Sequence, residues 1–401
     1  MGFCRRRQLR CRSRVTEMDT TTQLNPSARA WRYQPLNPQS ETTLSPVLSF
    51  HRALPTYNQT TLHSLPDLAA ELELGHVLVK DESNRFGLPS FKVLGASWAV
   101  YRAVGGRLGL DVFNWEVLIA TLGEVARNMA VPVTVVTCTE GNWGRAVAWM
   151  GRQMGVDVVV YVPEHMVEET RELIRKEGVK VVVAPGDYDD AAEAAMRWAK
   201  SEVALAVFDM SWEGYEEIPN WVVEGYQTML DESDVQVPEA TGGKTATHAI
   251  VPCGCGSVAR AVTQHYKSKV REATGAPAAT VIAVETSSAA CLTASLEKGE
   301  MTRVGTGSTI MCGMNCGTLS STAWPILKEG VDASVIVSEM EAHGAVLELH
   351  QKGVEAGPCG AATLAALRKV CKGYRAELGL TRESVVVLHC TEGMREYIPP
   401  T

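Results

Sequence analysis

The sequence predicts an α/β protein built on parallel sheets, and three observations carry the prediction. Between Val131 and Phe208, short β-branched runs alternate with segments of helical length. The runs are apolar throughout rather than at every second position, as in strands covered on both faces. Glycine-rich turns stand between strand and helix at Thr139–Gly144 and Cys253–Ser257, as α/β units require.

The elements follow in order. Residues 1–17 hold six arginines within fourteen positions and no acid before Glu17. This composition suits an organelle (mitochondrial) transit peptide, a disordered tail, or an extension ahead of a start at Met18. Residues 18–54 are polar and proline-rich and read as an extended arm. Leu62–Leu74 reads as a short amphipathic helix, and Val77–Glu82 as a strand leading to a loop at Lys92. Val93–Val104 is a helix. Strands are expected at 131–137, 156–162, 179–184 and 204–208, with helices at 144–154, 168–177 and 189–200. Met210–Pro219 is irregular, Trp221–Leu230 helical, and Asp231–Thr245 a polar linker. The alternation resumes with a strand at His248–Pro252, a helix at Val258–Ser268 and strands at Thr280–Glu285 and Ser384–His389.

Composition removes several function classes. The chain has 401 residues, 45% of them hydrophobic, without an apolar run of the roughly 18–20 residues a spanning helix needs. A net charge of −8 argues against nucleic acid as the main partner, since phosphate backbones select basic faces. No apolar h-region for secretion is visible, so the Asn58-Gln59-Thr60 acceptor is expected to stay unmodified in a protein expected to be cytoplasmic. The eleven cysteines are scattered. Cys253 and Cys255 are too close for a CxxC pair, and Cys312 and Cys316 lack a matching His/Cys cluster, so reduced thiols and no metal site are expected.

Lys92 is the most informative residue. It lies among Phe91, Val93 and Leu94 at the start of an apolar helix. Burial and the positive helix end both work against its charge, and a neutral amine is what Schiff-base chemistry with a carbonyl cofactor needs. Four motifs join it. Gly254-Cys255-Gly256-Ser257 opens a helix, where backbone amides and the helix dipole can seat a phosphate without a basic side chain. In Thr139-Glu140-Gly141-Asn142-Trp143-Gly144, the glycines admit a ligand close to the backbone. Asn142 offers an amide to a phenolic oxygen, and Glu140 an ionisable group; Thr139, Gly141 and Trp143 complete a substrate seat. Asp209 follows a strand end, where ligands of open α/β sheets gather, and suits a substrate amine or a base role. Cys390 and Thr391 follow the last strand and offer a thiol or hydroxyl to a ring nitrogen. Each motif alone also reads as ordinary turn or capping chemistry; their company decides the reading.

Taken together, the sequence resembles the fold-type II pyridoxal-phosphate enzymes, the tryptophan synthase β-like superfamily, and within it the diaminopropionate ammonia-lyases. The likeness runs from about Pro55 to Tyr397 through KDESNRFGLPSFKVLGA, TEGNWGRAVAW, FDMSWEGYEEIP, CGCGSVA, STIMCGMNCGTLSSTAWPIL, EAGPCGAA and CTEGMREY, in that order. It implies two three-layer α/β/α domains. A large cofactor domain would comprise 55–98 plus 213–401, with a smaller inserted domain at 99–212 and residues 1–54 as tail and arm. It implies pyridoxal 5'-phosphate on Lys92, with Gly254, Cys255, Gly256 and Ser257 at its phosphate, Asn142 at its 3'-oxygen, and Cys390 or Thr391 at its ring nitrogen. It implies Lys92, Glu140 and Asp209 as catalytic groups, a small amino acid as substrate, and a homodimer. The expected activity is elimination of ammonia from 2,3-diaminopropionate. A serine/threonine dehydratase-like lyase, a β-replacement enzyme and a catalytically silent binding protein are the alternatives. Two departures stand out. The family reads T-D-G-N-H-G where this chain has Glu140 and Trp143, which bears on the D-isomer activity linked to that aspartate. Cysteines also flank the phosphate turn.

Overall fold

A computed structural model describes residues 21–35, 45–110, 119–139, 141–202 and 204–401. The expectations placed on residues 1–17 and on Glu140 lie outside the described residues. Among those described, eleven strands form two sheets. They are β1 (Thr22–Leu24), β2 (Leu62–Ser64), β3 (His76–Asp81), β4 (Thr134–Cys138), β5 (Asp157–Pro163), β6 (Lys180–Ala184), β7 (Leu205–Ala206), β8 (His248–Pro252), β9 (Thr280–Thr286), β10 (Ala333–Val337) and β11 (Val385–Cys390).

The larger sheet runs β1-β10-β9-β8-β11-β3-β2 and the smaller β6-β5-β4-β7. All neighbours are parallel except the edge pairs β1 with β10 and β2 with β3. Period-two alternation explains why continuous apolar strands were needed. On β11, Val385 and Val387 enter one apolar layer while Val386 and Leu388 enter the other. The first layer includes Leu94 and Val100 of the helix Lys92–Arg107; the second includes Ala362 and Leu364 of the helix Pro358–Gly373. In the smaller sheet, Val158 and Val160 face Val147 of the helix Asn142–Met154. Val159 and Tyr161 face Ala191 and Ala195 of the helix Tyr188–Glu202. Both sheets are therefore the middle layer of an α/β/α sandwich. Among the described residues no helix is long and apolar enough to cross a membrane.

Three expectations change. Leu62–Leu74 is not one helix: Leu62–Ser64 pairs with β3, and Pro66 confines the helix to Pro66–Glu71. Asp231–Thr245 is not a linker, because the helix Gln227–Thr241 runs through most of it. Its polar look misleads because Glu232 and Ser233 are buried in hydrogen bonds and ion pairs. The arm before residue 54 contributes β1 and the helix Pro46–Ala53, which buries Val47, Leu48 and Phe50.

Candidate active site

Lys92 is the first residue of its helix, and a buried charge network holds the loop that delivers it. Lys80 and Arg85 are fully buried. Arg85 donates to Glu82 Oε1 and Glu232 Oε1, each at 2.7 Å, and Lys80 donates to Glu232 Oε2 at 2.7 Å. Two cations and two carboxylates close the set, so no buried charge is left unpaired. The network fixes the end of β3 to the helix Gln227–Thr241, and Lys92 emerges seven residues beyond Arg85.

The Lys92 Nζ ammonium donates to Asp209 Oδ2, just past β7. The rings of Phe91 and Trp143 stand 5.8 and 5.9 Å from it. This corrects the expectation of a neutral amine. Burial does push the amine's pKa down, but the Asp209 carboxylate outweighs it and holds the group charged, with its pKa above the usual lysine range. Burial raises the Tyr226 phenol well above its ordinary value, although the Lys92 charge works against that shift. The sequence did suggest Asp209, but not as the counter-ion of Lys92.

The glycine turn stands beside this pair. Ser257 opens the helix Ser257–Tyr266 and donates to the Asp209 carbonyl at 3.1 Å. The Cys255 thiol lies 3.1 Å from Ser257 Oγ and donates to the same carbonyl at 3.8 Å. Gly256 has φ +91°, and a Cβ there would meet Leu327 Cδ1 at 2.9 Å. A Cβ on Gly254 would lie 3.0 Å from the Gly313 carbonyl oxygen and 3.2 Å from Cys316 Sγ. Gly256 holds a left-handed backbone that favours glycine, Gly254 packs closely on its neighbours, and the following first-turn amides have no intrahelical acceptor. The Cys316 thiol, hydrogen-bonded to Cys255, holds the Cys255 thiol below its ordinary pKa; the same bond raises Cys316.

From the smaller sheet, Asn142 opens its helix toward this region. Thr139 Oγ1 accepts from the amides of Gly141 and Gly144 at 2.9 and 3.0 Å, so its hydroxyl caps the turn. Trp143 Nε1 donates to Thr137 Oγ1 at 2.8 Å, which anchors the indole while its ring borders Lys92. Asn142 Nδ2 donates to Glu392 Oε2 at 3.3 Å. Sequence reasoning passed over Glu392. The signal available was an acid within the Cys390–Gly393 turn, at the end of a fully buried strand. Cys390 is buried with its thiol donating to the Glu392 carbonyl at 3.5 Å, and the Thr391 carbonyl accepts from Phe91 N at 3.2 Å. Lys92, Asp209, Ser257 and Cys255 thus form one cluster, with Trp143 at its edge.

A family model described as "Pyridoxal-phosphate dependent enzyme" matches residues 53–391. The chain belongs to that family. It is 37% identical over 292 residues to the diaminopropionate ammonia-lyase of Salmonella typhimurium, spanning 72% of this chain and 71% of the relative. It is 32% identical over 372 residues to the Escherichia coli diaminopropionate ammonia-lyase, spanning 90% of each. The solved structure of the Escherichia coli enzyme in complex with D-serine superposes with a TM-score of 0.80 at 28% identity, covering 93% of both chains. Threonine deaminase isoform 2 of Solanum lycopersicum, at 18% identity and a TM-score of 0.67, shares the fold. The chain therefore falls with the diaminopropionate ammonia-lyases of the pyridoxal-phosphate family, in the fold-type II architecture the sequence implied.

The residues fit the family's cofactor. A closely packed glycine turn leads into a ten-residue helix, and its polar side chains meet the Lys92–Asp209 pair. An anionic phosphate suits such a helix start in a chain of net negative charge.

Proposed function

We propose that this chain eliminates ammonia from 2,3-diaminopropionate with pyridoxal 5'-phosphate as cofactor. One substrate and one water give pyruvate and two ammonia. The observation that carries this reading is the contact of Lys92 with Asp209 at the phosphate-type turn. It joins a Schiff-base amine to a carboxylate suited to a second substrate amine. A dehydratase acting on a hydroxyl has less use for such an acid.

When bound, the cofactor supplies an electron sink for charge developing at the substrate α-carbon. Gly254, Cys255, Gly256 and Ser257 would hold its phosphate, Asn142 its 3'-oxygen, and Thr391 or Cys390 its ring nitrogen. Lys92 would hold the cofactor, and its amine would take the α-proton from one face of the substrate. Glu140 serves the opposite face, and hence the other enantiomer. Asp209 orients the leaving amine and returns a proton to it. The start of the helix Asn142–Met154, with Gly141 and the Thr139-capped turn, receives the substrate carboxylate, and Trp143 bounds the space beside Lys92. Residues 55–98 plus 213–401 act as the cofactor domain and 99–212 as a domain that closes on it and excludes water.

We also propose a homodimer in the cytoplasm; the free thiols of Cys253, Cys255, Cys291, Cys316 and Cys359 suit a reducing compartment. The D-serine bound to the Escherichia coli relative supports a small amino acid at this site. The test is an assay of 2-oxo acid release, as pyruvate from either enantiomer of diaminopropionate or serine and as 2-oxobutyrate from threonine. Turnover of diaminopropionate well above the others supports the reading. Preference for serine or threonine, or oxo acid from none of them, rejects it.

A further inference from the structure

We infer that Glu392 is a positioning residue: it sets which end of the Asn142 amide faces the cofactor. The inference rests on the proposed cofactor reading and adds a residue to it. Glu392 is 4% exposed and follows β11. Its Oε2 accepts from Asn142 Nδ2 at 3.3 Å, and its Oε1 accepts from the Cys359 amide at 3.1 Å. Its backbone carbonyl accepts from Gly357 N at 2.9 Å, and its backbone bridges Ser90, two residues before Lys92. Gly357 makes room for this side chain, since a Cβ there would lie 3.0 Å from Glu392 Cγ and 3.1 Å from its Oε1. The carboxyl group thus joins the start of the helix Pro358–Gly373 to the helix that Asn142 opens, and the backbone of the same residue holds the Lys92 loop.

The chemistry of the pair gives the bond its direction. A carboxylate only accepts, and here both oxygens are taken by N–H donors. Asn142 must therefore present its nitrogen to Glu392. That nitrogen carries a second N–H, which remains for another acceptor, such as an ionised phenolic oxygen. Without a fixed partner, an asparagine amide has no preferred end. Glutamine at position 392 could not serve both donors. Its single oxygen would stay with the Cys359 amide, which has no alternative inside the helix start. Its NH₂ would then face Asn142 and turn the amide over. The atom that offered an N–H becomes a carbonyl oxygen, which an anionic oxygen repels.

The test is a double-mutant cycle on cofactor affinity, measured by titrating pyridoxal phosphate into apo-enzyme and following its absorbance. Glu392→Gln and Asn142→Ala are each expected to raise the dissociation constant about tenfold or more, in the range of charge-assisted hydrogen bonds. The double variant should match Asn142→Ala within about twofold, since Glu392 acts only through that amide. Glu392→Asp, which keeps both acceptors, should recover most of the affinity. Wild-type affinity in Glu392→Gln, or factors that multiply in the double variant, overturns the inference. If Glu392→Gln does not fold, the cycle runs on Glu392→Ala, which removes both acceptors, and Asn142→Ala with the same criterion. Failure of the wild-type chain to take up the cofactor would instead reject the proposed function.

Discussion

Replacing Asp209 with asparagine should lower the pH at which Lys92 becomes reactive. The structure places the Asp209 carboxylate against the Lys92 ammonium, where it overrides the effect of burial and holds the amine charged. Two unit charges 4 Å apart attract by about 4 kcal/mol at an effective dielectric of about 20. The Lys92 side chain keeps 20% of its exposure, so solvent screening reduces this to roughly 2–3 kcal/mol. At ~1.4 kcal/mol per unit, that is about two pH units. Asparagine keeps the shape and a hydrogen-bond acceptor but removes the charge that most opposes burial, so the amine's pKa falls. The assay is the rate at which apo-enzyme captures pyridoxal phosphate, followed by stopped-flow absorbance across pH. The wild-type rate should still be climbing in alkaline solution, and the Asp209→Asn curve should reach its midpoint about two units lower. Coincident midpoints would refute the electrostatic argument, as would an upward shift.

Further perturbations have definite outcomes. His51 and His389 are fully buried, and burial lowers both pKa values to about 3. The unfolded chain therefore takes up protons below about pH 6.5 that the folded chain refuses. Unfolding free energy should fall as pH drops from about 6.5 toward 3, by about 2 kcal/mol per histidine at pH 5, and His389→Leu should flatten that slope in denaturant titrations. Gly256→Ala must adopt φ +91° and place a Cβ 2.9 Å from Leu327 Cδ1. It should cost about 1–2 kcal/mol in urea unfolding and weaken cofactor binding, and an unchanged midpoint would contradict the steric reading. Glu232→Ala strips Lys80 and Arg85 of a shared buried partner and should destabilise the chain by about 3–5 kcal/mol, read from the denaturant midpoint.

The alternation of β-branched strands and helices was legible because strands buried on both faces have no polar positions to disguise them. Lys92, Asp209 and the Gly254–Ser257 turn were legible because each breaks a local rule: a cation among apolar residues, an acid at a strand end, glycines where a helix starts. What stayed hidden depended on partners distant in sequence. Glu232 looked like part of a polar linker because Lys80 and Arg85, which neutralise it, lie about 150 positions away. Asn142 was read as facing a ligand alone because its acceptor, Glu392, is 250 positions distant. The charge on Lys92 was misjudged for the same reason. Helix position and burial are visible locally, but a carboxylate 117 positions downstream is not.

The most direct check is chemical capture of the lysine–cofactor bond. Borohydride reduction of the holo-enzyme followed by proteolysis and mass spectrometry should find a single pyridoxyl-phosphate adduct, on Lys92, and Lys92→Ala should yield neither the adduct nor visible colour. An adduct on another lysine, or a colourless wild-type protein in the presence of excess cofactor, would contradict the account.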